Sequence, residues 1–246
     1  SMQLPAKYFR NNTANSCQLF EAMHTHGVKK LVFSSTAALY GNPELSPIPE
    51  TAELRPTNAY GESKLVLELI LECSCGLTVL RYASLRYFNA AAAVSPDQGE
   101  DHRPESHLIP LTLRVALGQR ESIKIFGTDY PTADGTCVRD YIHVADLAAA
   151  HVLALEALAD RDRLIYNIGN GAGFSVKEVI ETARMITGHP IPADETERRP
   201  GDPATLVASS AKIRQELGWE PKFPDLQSII SSAWEWHRKH PSGYAG

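Results

Sequence analysis

Tyr60 and Lys64 stand four residues apart in Tyr60-Gly61-Glu62-Ser63-Lys64. On a helix that spacing puts both on one face, a turn apart. A free phenol titrates near about 10 and is a weak base at neutral pH. A neighbouring ammonium favours the phenolate and moves it towards the range of a general base. A second group of proton-handling residues lies upstream, where Leu31-Val32-Phe33 runs straight into Ser34-Ser35-Thr36. The apolar triplet reads as a strand of a parallel sheet covered on both faces. The hydroxyls then sit at the strand's carboxyl end, where α/β sheets bind ligands.

The surrounding elements are legible in the residue pattern. Apolar Ala14, Cys17, Phe20 and Met23 recur at three-residue steps and predict a helix over Asn12–His26, ended by Gly27. A proline-rich loop follows, with Pro43, Pro47, Pro49 and Pro56. Asn58 is placed to cap a helix over about Ala59–Glu72, and Ser84–Phe88 reads as the next strand. This order predicts a doubly wound α/β fold. After Asn89 loops and shorter elements dominate. Helices are expected over Leu108–Leu117, Val144–Leu158, Ser210–Leu217 and Leu226–His240, with strands at Ser122–Phe126 and ending at Gly169. Ser175 with Glu178 reads as a capping box for a helix to about Thr187. The domains expected are 1–89, Rossmann-like, and 90–246, a smaller α+β substrate domain, with about 143–170 packing back on the first.

Composition narrows the classes. The chain has 246 residues, is 43% hydrophobic and 22% charged, and carries a net charge of -5. No apolar run nears the roughly 20 residues of a membrane span, and no basic segment leads into an apolar one as in a signal peptide. A sequence pI of about 6.0 disfavours nucleic acid as a partner. Ser1-Met2 reads as a tag remnant. Four cysteines are too few for a disulfide framework in a chain this size, and Cys73-x-Cys75 is too tight for a zinc knuckle. No metal site is expected, and the cytoplasm is the expected compartment.

Strand, hydroxyl run and Tyr-x-x-x-Lys together resemble the short-chain dehydrogenase/reductase superfamily. The phrase Ser34-Ser35-Thr36-Ala37-Ala38-Leu39-Tyr40-Gly41 is similar to its extended, sugar-nucleotide-modifying branch. Three stretches narrow the match: Leu85–Asn89, Gly127–His143 and Arg198–Asp202-Pro203. In this order they resemble the UDP-glucose 4-epimerase (UDP-galactose 4-epimerase) family, from about Lys7 to Tyr244. The resemblance implies NAD as cofactor and a UDP-hexose as substrate. Tyr60 would take the sugar 4-hydroxyl proton while hydride leaves C4 for NAD. Lys64 would lower the Tyr60 pKa and bond the nicotinamide ribose, and Thr36 would bond the same 4-hydroxyl. The 4-keto sugar would turn and take hydride back on its other face. Asn11, Ser34, Ser35 and Tyr87 would also meet the cofactor. Phe88 and Asn89 would line the hexose pocket. His107, where some members carry Asn, and Leu108 would sit against the diphosphate and uridine. Lys124 and Phe126 would flank the uracil. Arg139 and Arg199 would clamp the diphosphate, Asp202 would accept from the uridine ribose, and Tyr141 would join the substrate contacts. Leu206 replaces a larger tyrosine that restricts N-acetylated sugars, which implies some tolerance of UDP-N-acetylglucosamine. A homodimer through helices at about 12–26 and 60–74 is implied.

Two departures stand out. No Gly-x-x-Gly-x-x-Gly turn, whose amides would hold the cofactor pyrophosphate, occurs in the sequence. Gly169-Asn170-Gly171-Ala172-Gly173 sits late and lacks the strand-turn-helix setting. The expectation is a partial sheet missing its first strands, roughly 80 to 90 residues short, an incomplete NAD site and impaired activity for the chain as given. The second departure is Asn89-Ala90-Ala91-Ala92-Ala93, where the family usually carries a glycine near Ala92. Rival readings are a non-catalytic UDP-sugar-binding fragment and an epimerase of UDP-xylose or UDP-glucuronate. A 4,6-dehydratase is disfavoured, because Ala37 and Ala38 stand where it needs an extra acid.

Overall fold

A computed structural model describes residues 4–199 and 201–244; Ser1-Met2 and Pro200 lie outside them. Helix α1 is Pro5–Tyr8, a π-turn spans Phe9–Ala14, and α2 is Asn15–Thr25. There follow β1 (Lys30–Ser34), a 3-10 turn (Ala37–Tyr40), α3 (Ala59–Leu77), β2 (Arg81–Tyr87) and β3 (Asn89–Ala91). Next come α4 (Leu108–Ala116), β4 (Ile123–Phe126), β5 (Val138–Arg139), β6 (Tyr141–His143) and α5 (Val144–Ala157). The rest are β7 (Arg163–Ile168), β8 (Phe174–Ser175), α6 (Val176–Thr187), β9 (Ala193–Thr196), β10 (Thr205–Leu206), α7 (Ala211–Leu217) and α8 (Leu226–Lys239).

The first compact unit comprises 1–88, 149–168 and 208–219. Its sheet is parallel, in the order β1-β2-β7. The helical run begins at Pro5, ahead of the Asn12 start that periodicity suggests, because a proline in the first turn needs no donor and presets φ. Gly27, at φ +68, ends it as expected. Strand β1 departs from its reading as a strand covered on both faces. Leu31, Val32 and Phe33 are each only half-buried, and among the described residues β1 pairs with β2 alone. Tyr82, Ala83 and Leu85 of β2, Leu67 and Leu71 of α3, and Tyr166 of β7 form the core. Residues 208–219 join this unit, which the sequence pattern does not suggest. Lys212 of α7 donates to the Ile165 carbonyl at 3.0 Å, and Tyr166 donates to Glu216 at 2.8 Å.

The second unit comprises 89–148, 169–207 and 220–246. Its strands pair as β10-β5-β8, β3-β6 and β4-β9. Helices α4, α6 and α8 bury Leu113, Val179, Ile180, Ile229 and Ile230 in one apolar core. The capping box at Ser175 is formed, with both reciprocal bonds present.

Candidate active site

In the first unit, β1 delivers Ser34, Ser35 and Thr36 to its carboxyl end. The Ser35 amide bonds the Leu85 carbonyl at 2.9 Å, which keeps this segment in register with β2 past the strand's last residue. The Thr36 hydroxyl accepts from the Ala38 amide at 3.1 Å and so starts the 3-10 turn. Asn58 caps α3 as its sequence position suggests, accepting from the Gly61 amide at 2.9 Å. A side chain at Gly61 would push this helix away from the turn. A Cβ there would lie 2.7 Å from the Ala38 carbonyl oxygen and 2.9 Å from Pro56. Only glycine lets the first turn of α3, which carries Tyr60, come this close to the segment that carries Thr36.

Tyr60 and Thr36 therefore meet. Burial raises the Tyr60 pKa, and the hydrogen bond with Thr36 works against that rise. Lys64 donates to the Ser34 carbonyl at 2.9 Å and lies 5.0 Å from the centre of the Phe33 ring and 6.0 Å from that of Tyr60. Burial lowers its own pKa. The phenol is held above its ordinary value, because desolvation by burial outweighs the Thr36 hydrogen bond.

Behind these residues runs a buried polar chain that spacing along the sequence did not suggest. The Ser35 hydroxyl donates to Glu68 at 2.6 Å. Arg86 forks onto the same carboxylate, at 3.1 Å from Nε and 2.6 Å from Nη2. Arg86 also donates to the Tyr40 hydroxyl at 3.0 Å, and Tyr40 donates to Asn167 at 2.7 Å. Glu68 lies four residues beyond Lys64, so helical spacing from Tyr60 and Lys64 could have found it. Ser34 and Tyr87 share a neighbour in His151, at 3.5 Å from the Ser34 hydroxyl and 6.3 Å between rings. Asn11 is exposed on the π-turn, and the adjacent Asn12 bonds Ser63 of α3 at 2.9 Å. Phe88, at the end of β2, is buried.

In the second unit the candidates form three groups. Arg199 stacks its guanidinium 3.8 Å from the centre of the Phe126 ring, beside exposed Lys124 on β4. Arg139 lies 3.6 Å from Asp202, and β10 sets Leu206 opposite Arg139 in register. His107 is the N-cap residue of α4 and Leu108 its first residue, and the His107 side chain does not cap the helix. Glu100 and Glu105 sit 2.8 and 2.9 Å from His107 Nδ1 and raise its pKa to about 9. Asn89 is exposed, its amide bonded to the Asp140 carbonyl. Tyr141 belongs to the apolar core, at 4% exposure.

The chain resembles known proteins over its whole length. Residues 1–169 match the model of the NAD dependent epimerase/dehydratase family. A UDP-glucose 4-epimerase of Halalkalibacterium halodurans is 55% identical over 247 residues, covering 100% of this chain and 74% of that protein. A crystal structure of a UDP-glucose 4-epimerase superposes with a TM-score of 0.97 at 51% identity, over 100% of this chain and 75% of that one. The enzyme of Bifidobacterium longum, solved with NAD+ and UDP, matches with a TM-score of 0.94 at 39% identity, over 99% of this chain and 74% of that one.

Proposed function

This chain belongs to the NAD dependent epimerase/dehydratase family, among its UDP-glucose 4-epimerases, and we propose that it interconverts UDP-glucose and UDP-galactose by inverting sugar C4. The observation that carries this reading is the contact between Thr36 and Tyr60, with Lys64 on the same helix. A phenol and a threonine hydroxyl in contact can pass one proton to and from a substrate hydroxyl. Burial keeps Tyr60 protonated near neutrality, so it needs nearby positive charge to act as base, and Lys64 is the resident source.

For NAD, the residues fit at the nicotinamide ribose end. The Lys64 ammonium carries three donors and directs one of them to the Ser34 carbonyl. NAD, when bound, supplies the hydride acceptor and donor for C4. The Arg139 and Arg199 guanidiniums and the α4 amides beside His107 suit a diphosphate. Leu206 leaves room for an N-acetyl group, and turnover of UDP-N-acetylglucosamine is the expected result; a Leu206→Tyr variant should lose it while keeping UDP-galactose activity.

Binding of a UDP-sugar without turnover is the second reading. A coupled assay with UDP-galactose and added NAD separates the two. Turnover that Tyr60→Phe lowers about 10²–10⁴-fold supports the epimerase. Saturable UDP binding with no turnover would establish the second reading. No helix among the described residues is long and apolar enough to cross a membrane.

A further inference from the structure

The loop from β3 to α4 carries Glu100, His102, Glu105 and His107 within eight residues. One ligand atom each from His102, Glu105 and His107 lies within 4.8 Å of the others. The two imidazole rings are 5.3 Å apart, tilted by 59°. Glu105 is the unusual member. Its side chain is 1% exposed, an unfavourable place for a carboxylate without full pairing. Its Oε1 accepts from the amides of Ser106 and His107 at 2.6 and 2.8 Å. Its Oε2 is buried and, among the described residues, meets no donor. Buried polar atoms of this kind are normally satisfied.

We propose that His102, Glu105 and His107, with Glu100 beside them, form a binding site for a divalent cation of the zinc type. Two imidazoles and a carboxylate are the donor set that such an ion prefers. A cation held there would pair the charge of a buried carboxylate that lacks a donor at one oxygen. His107 Nδ1, 2.8 and 2.9 Å from Glu100 and Glu105, would bind the cation in its deprotonated form. His107 is half-exposed, which leaves a side open for water to complete the coordination. The spacing His-x-x-Glu-x-His is visible in the sequence, but nothing there shows that Glu105 is buried.

The test needs no turnover, so it stands apart from the epimerase reading. The full chain is stripped with a chelator and titrated with zinc chloride by calorimetry, and with cobalt(II) by visible absorption. The expected result is one equivalent of zinc per chain and cobalt bands of a nitrogen-oxygen site. His102→Ala should weaken binding at least about tenfold, as should Glu105→Gln. Since Glu105 is buried and its variant can misfold, exposed His102 is the deciding position. Cys73→Ser with Cys75→Ser should leave binding unchanged. No saturable binding, equal affinity in His102→Ala, or thiolate bands that vanish in the double serine variant would each overturn the proposal.

Discussion

Ala92 has φ +82, a region where side chains are strained, and it is buried in the core of the second unit. A glycine would take this bend without strain, since the bend demands positive φ. Strain of this type costs about 1–3 kcal/mol, and the methyl contributes about 0.8 kcal/mol of burial. Glycine's extra freedom in the unfolded chain takes back about 0.4–1 kcal/mol, so Ala92→Gly should stabilise by at most about 2 kcal/mol, read from the urea midpoint at unchanged slope. His107 gives a pH-dependent prediction. Its folded pKa of about 9 lies above the ordinary value of about 6.5. Between those values the folded chain holds more proton than the unfolded one. The stability His107 contributes is thus complete below about pH 6.5 and is lost as pH rises through about 9. In chelator buffer, the stability gap between the parent chain and His107→Asn should shrink across that window.

Among the elements, helix α3 combines the most sequence signals. Its N-cap, its glycine and its Tyr-x-x-x-Lys are all local, and Asn58 caps the helix as its position suggests. What holds α3 to β1 and β2 is not local. Glu68 and Arg86 are 7% and 5% exposed, and they link Ser35 to Tyr40 through one carboxylate and one guanidinium. Removing one partner strands the other in the interior, so Glu68→Ala should cost about 3–5 kcal/mol in denaturant unfolding. Replacing both, as Glu68→Leu with Arg86→Met, should cost less than the two single losses summed, since buried pairs often exchange for apolar groups with little penalty. A double-mutant cycle measures the difference.

For the molecule as a whole, α2 and α3 present apolar side chains outward. Leu19 is 52% exposed and Leu69 58% exposed, on the helices through which a homodimer is expected. Light scattering should give twice the chain mass, and Leu19→Glu with Leu69→Glu should halve it. An exposed substitution of this kind leaves the fold's own stability within about 0.5 kcal/mol.

Residue order was enough to indicate the helices from α2 onward, four of the strands, the α3 and α6 caps and the family. These depend on spacing within one or two turns, or on motif order along the chain, and both survive in one dimension. Other features came only from tertiary packing. Among the described residues it made β1 a half-buried strand paired with β2 alone, since burial depends on which strands lie beside it. It drew 208–219 into the first unit through bonds to β7. It turned Tyr141 into the core and raised the Tyr60 pKa, because desolvation is set by every atom packed around a group. It also buried Glu105 beside two histidines and left one of its oxygens without a donor, a property that no spacing rule encodes.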